Sequence, residues 1–337
     1  METHNEFNVE SLPQKKWWDQ RYVCEMNGFW TLPEFVPYTV RVLNEFKPLP
    51  SDVILASFPK TGTTWLKSLL PSIIWRSSKE SSSLVNHHPH DLVRYLEFPG
   101  SPPWLSSSSP NGELISSSSS SGGNHHHDEE ITDPTRRRIF ATHLPYQHLE
   151  NKLDANKPCR VVYITRNPKD TLVSMWHFVN KTKGPEEHDW QLEDAQNTFC
   201  SGIFPFGPYY DHVMGFKKAS LEKPHNIFFI TYEELMTDPI VHVKRLAEFL
   251  GCPFADDQEE SVLEVEKIVK SCSFESMTSQ EVNKSEDFTS WTPVAYNAFF
   301  RKGGIGDHKN YLDANTIKRI DALTREKFHA AGFMYGI

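Results

Sequence analysis

A strand, a tight turn and a helix start follow one another at residues 53–76, and this arrangement constrains the fold more than any other part of the chain. The run at 53–57 is apolar and β-branched, as a buried strand requires. The turn carries Lys60 and Gly62, and the helical pattern opens on Thr63 and Thr64. Backbone N–H groups at a helix N-terminus, a glycine without a Cβ and a neighbouring cation together make a site for an anion.

The turn differs from the ordinary nucleotide-binding loop, G-x-x-x-x-G-K-[ST], in which the lysine follows the second glycine. Here Lys60 precedes Gly62 by two residues, and Ser57 stands where the first glycine would be. The phosphate-binding logic is retained, but a metal-coordinating arrangement is not spelled out. Taken alone, the segment is also compatible with a strand-to-helix turn that binds no ligand.

Composition restricts the class of protein. The chain has 337 residues, of which 38% are hydrophobic and 12% aromatic, enough to fill the core of a large α/β domain. A formal net charge of −9 argues against a general nucleic-acid-binding protein, because phosphate backbones require clustered cations. The five cysteines are scattered without metal-ligand spacing, which fits free thiols in a reducing compartment. A polar N-terminus and the lack of an apolar run of about 18 residues predict a soluble, cytoplasmic protein that does not enter membranes.

Strands and helices are predicted to alternate along the chain. This alternation indicates a single α/β domain over 1–337, in which helices flank a central, mostly parallel sheet and ligands bind at the carboxyl ends of the strands. Strands are predicted at about 52–57, 138–142, 160–165 and 227–231, and helices at about 63–76, 168–179, 239–250, 258–271 and 314–330.

Two segments depart from the alternation. Residues 100–130 hold two serine runs and three consecutive histidines, a low-complexity composition that predicts a disordered loop insertion within the domain. Metal binding by the three histidines is disfavoured, because no second ligand cluster lies at suitable spacing. Residues 1–50 read as irregular and rich in aromatic residues, which either pack on the core or wall an apolar cleft. These residues are Trp17, Trp18, Tyr22, Phe29 and Trp30.

Further polar residues lie at the same predicted sheet edge. Arg166 directly follows the strand at 160–165, and Ser174 lies about two helical turns later. The pair suits a second phosphate, and a structural ion pair is the alternative for the arginine. His143 ends another strand, where an imidazole could take a proton from a hydroxyl or simply pack. Two anion subsites at neighbouring strand ends favour a nucleotide with separated phosphates.

A basic, glycine-rich segment lies near the C-terminus. It begins with Arg301, Lys302 and Gly303 and continues to residue 310. Two cations followed by glycines describe either a flexible flap with free backbone amides or a plain surface loop.

Taken together, these residues resemble the cytosolic sulfotransferases, and the plant members most. The matches run in family order over about 50–310, essentially the whole chain. The lysine-bearing loop and the Arg-Lys-Gly segment are individually specific. The matching segments are 58–65, 142–145, 163–176, 231–235, 272–275 and 300–307.

The resemblance implies a P-loop-like α/β domain that binds 3′-phosphoadenylyl sulfate (PAPS) as co-substrate and needs no metal. It implies in-line transfer of the sulfuryl group to a hydroxyl of a small, largely apolar metabolite, with His143 as catalytic base and Lys60 stabilising the developing charge. The expected partner is this acceptor, and the chain is expected to be a monomer or weak homodimer. By the same resemblance, the 5′-phosphosulfate is held by Lys60, Thr61, Gly62, Thr63 and Thr64, the 3′-phosphate by Arg166, Ser174, Arg301, Lys302 and Gly303, and the adenine by Trp65, Tyr232 and Phe274.

The chain departs from the family pattern at several positions. Ala141 stands where many members have a lysine, so Lys60 is the simplest source of the missing charge. His308 replaces a usual tryptophan, which affects the packing of the flap. Cys272 replaces a hydroxyl residue and is expected to weaken one adenine-side hydrogen bond. Residues 311–320 do not match the dimer motif of the animal enzymes.

The acceptor is not specified by the sequence. Two other functions compete with a sulfotransferase: an ATP-dependent kinase, disfavoured by the altered loop order, and a non-catalytic nucleotide-binding relative. The latter is favoured by Ala141 and His308. Aromatic candidates for the acceptor pocket are Trp176, Phe178, Phe204, Phe206, Tyr209 and Tyr210.

Overall fold

The computed structural model of the protein describes residues 9–77, 86–99, 137–153, 159–255, 259–289 and 294–337. The predicted insertion at 100–130, with its three consecutive histidines, lies outside the described residues. The strands are β1 (Gln14–Trp18), β2 (Arg21–Met26), β3 (Phe29–Thr31), β4 (Val53–Ser57), β5 (Ile139–Thr142), β6 (Arg160–Thr165) and β7 (Ile227–Thr231).

Strands β4 to β7 form a parallel sheet in the order β5-β4-β6-β7. Leu55 stands opposite Ala141 in β5 and opposite Val162 in β6. Every residue of β4 and β5 is buried, as is typical of parallel strands that are covered on both faces. The predicted parallel sheet is therefore confirmed, and the carboxyl ends of its strands lie along one edge.

Successive residues of β4 alternate between two apolar cores. Ile54 and Ala56 belong to one core, and Val53 and Leu55 belong to the other. Because strand side chains alternate between faces, helices must cover both sides of the sheet. The helices are α1 (Val36–Glu45), α2 (Thr63–Ile74), α3 (Pro89–Leu92), α4 (Tyr146–Leu153), α5 (Pro168–Thr182), α6 (Leu192–Ser201), α7 (Tyr209–Glu222), α8 (Tyr232–Thr237), α9 (Pro239–Phe249), α10 (Glu259–Ser271), α11 (Phe274–Ser279), α12 (Glu281–Lys284) and α13 (Ala314–Lys327).

The prediction that residues 1–50 are irregular is wrong. Strands β1, β2 and β3 form an antiparallel sheet, and α1 follows them. The turn between β2 and β3 consists of Asn27 and Gly28, both with positive φ (50° and 85°). An Asn-Gly pair between apolar runs is a strong hairpin signal, because both residues adopt the left-handed region that this turn requires.

The start of α5 follows its sequence signals. Asn167 accepts a hydrogen bond from the backbone N–H of Lys169 at 3.0 Å, and Pro168 is the first helical residue. The helix runs three residues beyond its predicted end at 179, to Thr182. Within the described ranges, no helix is both long enough and apolar enough to cross a membrane.

A further segment of chain joins the sheet beside β5. Ala141 donates its backbone N–H to Arg94 and accepts one from Leu96 through its carbonyl, in a parallel bridge. Residues 94–98 therefore lie next to the end of β5, where His143 follows.

Candidate active site

The loop between β4 and α2 has a backbone that few residues adopt. Lys60 has φ 68° and Gly62 has φ 121°. A Cβ at position 62 would lie 2.7 Å from Ile164 in β6 and 3.0 Å from Tyr232 at the start of α8. Glycine is therefore needed here, because any side chain would push the loop away from β6. A non-glycine residue held in the left-handed region, as Lys60 is, is a feature that recurs at functional sites.

A continuous cavity of about 510 Å³ opens at the carboxyl ends of the strands. It is lined by residues of the loop between β4 and α2, residues 58–62, which we call the phosphate loop, and of the adjoining start of α2. It is also lined by the residues that are predicted to surround the 3′-phosphate and the adenine. The predicted site residues along its walls are Lys60, Gly62, Thr63, Thr64, Trp65, His143, Arg166, Ser174, Tyr232, Phe274, Arg301, Lys302 and Gly303.

Thr61 is the predicted site residue that does not line the cavity. Its hydroxyl donates to the carbonyl of Phe58 at 2.7 Å and lies 3.0 Å from that of Ile164. A threonine hydroxyl has one proton to donate, and here it is directed at backbone oxygens. The side chain thus fastens the loop to β6, and what Thr61 can offer a ligand is its backbone.

Lys60 extends into the cavity among other cations. Its Nζ lies 3.9 Å from the ring centre of Phe178 and 5.9 Å from that of Phe299. Burial, followed by the charges of Arg166, Arg301 and Lys181, lowers the pKa of Lys60 to about 7. A cation under this much repulsion is suited to meet an incoming anion.

Arg166 connects the end of β6 to the basic flap, residues 301–310. Its guanidinium donates to the carbonyl of Gly304 at 2.7 Å and lies 4.8 Å from the ring centre of Tyr232. The Tyr232 hydroxyl donates to the carbonyl of Gly303 at 2.9 Å. The buried Nε of Arg166 has no hydrogen-bond partner among the described residues. An orphaned donor on a cation that lines the cavity fits a site for an anion.

The two cations of the flap are held by an acidic partner. Arg301 and Lys302 pair with the two oxygens of Asp307, at 2.7 and 2.5 Å. Burial by itself would raise the pKa of Asp307, but the hydrogen bonds from Lys302, Asn310 and Arg301 together hold it well below its usual range. Both cations line the cavity, and an anion bound there would share them with Asp307.

His143 is fixed by hydrogen bonds from several sides. Its Nδ1 lies 2.7 Å from the carbonyl of Ser57, the last residue of β4. Because a carbonyl only accepts, Nδ1 carries the proton and Nε2 is left with its lone pair. The backbone N–H of His143 donates to Glu97 at 2.6 Å, and its carbonyl accepts from His212 Nε2 at 2.9 Å. Burial lowers the pKa of His143 to about 3, so the ring is neutral near pH 7.

Sequence reasoning missed the segment that packs against His143. The rings of Tyr95 and Phe98 lie 4.7 and 6.0 Å from its imidazole, and both line the cavity. Glu97 is fully buried between them in sequence, and burial raises its pKa to about 7. The sequence shows two aromatic residues around a single acidic one at 95–98, but it does not show that this segment pairs with Ala141.

The acceptor-pocket candidates are partly wrong. Phe178 and Phe206 line the cavity, as predicted, and Trp17 and Trp18 of the N-terminal group join them. Phe35 and Phe98 stack at 4.5 Å and extend this aromatic wall. The remaining candidates lie elsewhere: Phe204, Tyr209 and Tyr210 are buried in the core, and Trp176 turns away to donate to the carbonyl of Trp190.

Two of the departures from the family pattern have clear structural settings. Cys272 is buried in the apolar core that contains Val53 and Leu55, and it does not line the cavity. His308 is a buried residue of the flap, and its Nδ1 and backbone N–H bind Asp170 of α5 at 2.8 and 2.9 Å. Asp170 also accepts the N–H of Gly306 at 2.7 Å. The histidine therefore helps to anchor the flap to α5.

The comparison with known sequences points to one family. A sulfotransferase domain model matches residues 50–332. Cytosolic sulfotransferase 17 of Arabidopsis thaliana is 36% identical, over 98% of this chain and 90% of its own length. Cytosolic sulfotransferase 5 of the same plant is 37% identical, over 97% of this chain and 95% of its own length.

Solved structures agree with the sequences. A putative steroid sulphotransferase from Arabidopsis thaliana has a TM-score of 0.66 at 30% identity, covering 97% of this chain and 93% of that one. Mouse sulfotransferase SULT7A1 complexed with PAP has a TM-score of 0.63 at 25% identity, covering 90% and 93%. The chain therefore belongs to the sulfotransferase family, as its motifs predict, and is a PAPS-dependent transferase.

Proposed function

We propose that this protein moves the sulfuryl group of PAPS in line to a hydroxyl of a small, largely apolar molecule, with His143 as the base. The observation that carries the proposal is the place of His143. Its imidazole Nδ1 donates a hydrogen bond to the carbonyl of Ser57, where the loop between β4 and α2 begins. On its other side the ring packs against the aromatic wall of the cavity. A base in this position serves a reaction between an anionic donor and an apolar acceptor.

The donor's anionic groups fit the two cationic regions of the cavity. Lys60, Thr63, Thr64 and the backbone N–H groups at the start of α2 would hold the 5′-phosphosulfate. Arg166 and Ser174, with the flap cations, would hold the 3′-phosphate. The PAP ligand of the mouse relative, adenosine 3′,5′-bisphosphate, has this pair of separated phosphates. Trp65, Tyr232 and Phe274 would frame the adenine.

Each catalytic group has a defined task in the transfer. Lys60 and the loop amides stabilise the negative charge that builds on the departing phosphate oxygen, in a site from which aromatic walls exclude water. His143 uses the lone pair on Nε2 to take the acceptor's hydroxyl proton as the new S–O bond forms. The anionic donor raises the low pKa of His143, because a nearby negative charge favours the imidazolium.

The part of the cavity beside the aromatic wall, where the acceptor would bind, favours flat, apolar molecules. Its walls are aromatic rings, and aromatic linings are typical of pockets for such ligands. The proposal extends to a single domain over the whole chain, a monomer or weak homodimer, and a cytoplasmic location. The curated relatives named above are called cytosolic.

Binding and turnover test the proposal. By calorimetry, adenosine 3′,5′-bisphosphate is expected to bind at least tenfold more tightly than 5′-AMP, since a phosphate paired with arginine contributes roughly 1.5–3 kcal/mol. With PAPS and mixed phenolic, steroidal and oxime acceptors, His143→Ala and Lys60→Ala are each expected to lower kcat about 100-fold or more. Equal affinity for the two nucleotides would reject the donor assignment. Near-normal turnover by the His143 variant would remove it from the role of base.

A further inference from the structure

A buried chain of polar groups lies behind the phosphate loop. His90 Nε2 is 3.0 Å from the hydroxyl oxygen of Thr64, and His90 Nδ1 is 3.3 Å from Nζ of Lys67. Lys67 also donates to the carbonyl of Val93 at 2.6 Å. Lys67 is fully buried, and His90 is 2% exposed. Thr64 lines the cavity, so the chain connects an interior lysine to the predicted anion site.

The surroundings of Lys67 compensate only in part for its burial. Its Nζ lies 3.6 Å from the ring centre of Tyr95, a cation–π distance. Burial lowers the pKa of Lys67 well below its ordinary value, and the carboxyl groups of Glu97 and Asp91 only partly oppose this shift. Burying a lysine amine is unfavourable unless its N–H groups find hydrogen-bond partners. A chain that keeps lysine here, on the inner face of α2, therefore has an interaction to maintain.

The chemistry of the groups is consistent with one set of hydrogen-bond directions along this chain. Lys67 Nζ has N–H groups in either protonation state; one donates to Val93, and another can donate to His90 Nδ1. Burial and the charge of Lys67 hold the pKa of His90 well below its ordinary value, so the ring is neutral and has one N–H. That N–H is on Nε2 and donates to Thr64. The hydroxyl proton of Thr64 is then available to a ligand in the cavity.

We propose that Lys67 and His90 are positioning residues that hold the Thr64 hydroxyl as a donor toward the 5′-phosphosulfate. This inference rests on the proposed function, because Thr64 is assigned to that group there. Without Lys67, the imidazole is free to carry its proton on Nδ1. Thr64 would then donate into the ring, and the anion would lose one hydrogen bond.

Calorimetry with adenosine 3′,5′-bisphosphate tests the relay through a double-mutant cycle. Lys67→Met and Thr64→Val are each expected to weaken binding about tenfold, the value of one hydrogen bond to a charged group. The double variant is expected to bind no more weakly than Thr64→Val, because both changes remove the same donor. Lys67→Gln keeps an N–H donor at similar length and is expected to regain most of the affinity. Lys318→Met, on the exposed face of α13, is the matched control and leaves affinity unchanged.

Losses that multiply in the double variant would overturn the relay, since Lys67 would then act independently of Thr64. If Lys67→Met does not fold, the cycle of His90→Phe with Thr64→Val asks the same question.

Nitrogen-15 spectra of the His90 ring provide a readout without nucleotide. The wild-type protein is expected to show Nε2 protonated and Nδ1 accepting, and Lys67→Met is expected to lose this pattern. A wild-type ring protonated on Nδ1 would overturn the inference. The two proposals fail separately: lack of preference for the 3′-phosphate in the wild type rejects the donor assignment, whereas multiplying losses with that preference intact reject the relay alone.

Discussion

The pKa of Lys60 predicts how nucleotide binding depends on pH. The lysine lies at a strand-to-helix turn among Arg166, Arg301 and Lys181, and its pKa is lowered to about 7. An anion that binds at the loop prefers the protonated amine and raises its pKa again. Binding should therefore take up a proton near neutral pH and weaken as pH rises. Substituting Lys60 by arginine separates this effect from other titrations, because a guanidinium stays charged throughout the range.

The size of the effect follows from the pKa. With a pKa of about 7, roughly half of the free protein has a charged Lys60 at pH 7, and about one molecule in a hundred has it at pH 9. If the charged form alone binds well, the dissociation constant for adenosine 3′,5′-bisphosphate rises about fiftyfold between these values. The ligand contributes little, since phosphate monoesters have a second pKa near 6.

Calorimetry at pH 7, 8 and 9, repeated in buffers of different ionisation enthalpy, measures both the affinity and the proton uptake. The wild type is expected to weaken steadily and to take up close to one proton per nucleotide at pH 8. Lys60→Arg is expected to show a nearly flat profile, whatever its absolute affinity. A wild-type affinity that is independent of pH, or an arginine variant with the same slope as the wild type, would refute the assignment of the titration to Lys60.

Two further predictions concern the flap and the fold. A Cβ at Gly303 would lie 2.4 Å from the Phe274 ring, whereas one at Gly304 meets nothing within 4 Å. Gly303→Ala should therefore weaken adenosine 3′,5′-bisphosphate binding at least fivefold, because overpacking costs roughly 1–3 kcal/mol. Gly304→Ala is the control and should leave the affinity unchanged. Equal effects of the two substitutions in calorimetry would contradict this prediction. Burial lowers the pKa values of His88, His143 and His212 to about 3, 3 and 4. Below pH 6.5 the unfolded chain therefore binds more protons than the folded protein, and the free energy of unfolding falls as the pH drops. Each histidine contributes up to about 1.4 kcal/mol per pH unit to this fall. Glu97, with a raised pKa, opposes this with one group, so the urea midpoint should still be lower at pH 5.5 than at pH 7.5, and an equal or higher midpoint would count against it.

The sequence predicts well what local patterns determine. Each strand of the parallel sheet has an apolar centre, and the chain order of strand and helix limits how the strands assemble. The N-terminal hairpin is not predicted, because the tryptophan-rich segment is interpreted as irregular. The Asn27-Gly28 pair is nevertheless a hairpin signal. The remaining errors concern direction. Trp176 and Phe178 lie on the same helix, and the sequence does not say which of them faces the cavity.

Contacts between segments that are far apart in the sequence could not be predicted, for a different reason. Lys67 and His90 are separated by 23 residues, and nothing local indicates that a lysine on an apolar helix face will meet a histidine. The pairing of Arg301 and Lys302 with Asp307 depends on how the flap folds back. Both contacts determine where charged side chains lie relative to the cavity. These positions depend on the assembled fold and not on any local sequence pattern.

The charges around the cavity explain how a chain with a net charge of −9 can hold a polyanion. Its cations converge on the cavity, and their mutual repulsion is visible in the lowered pKa of Lys60. The flap cations are partly balanced by Asp307, and the flap itself is anchored through Asp170. A bound nucleotide therefore relieves repulsion at the loop but competes with an existing ion pair at the flap. Because of this difference, the loop should dominate the pH dependence of binding, and the flap should contribute mainly to the recognition of the 3′-phosphate.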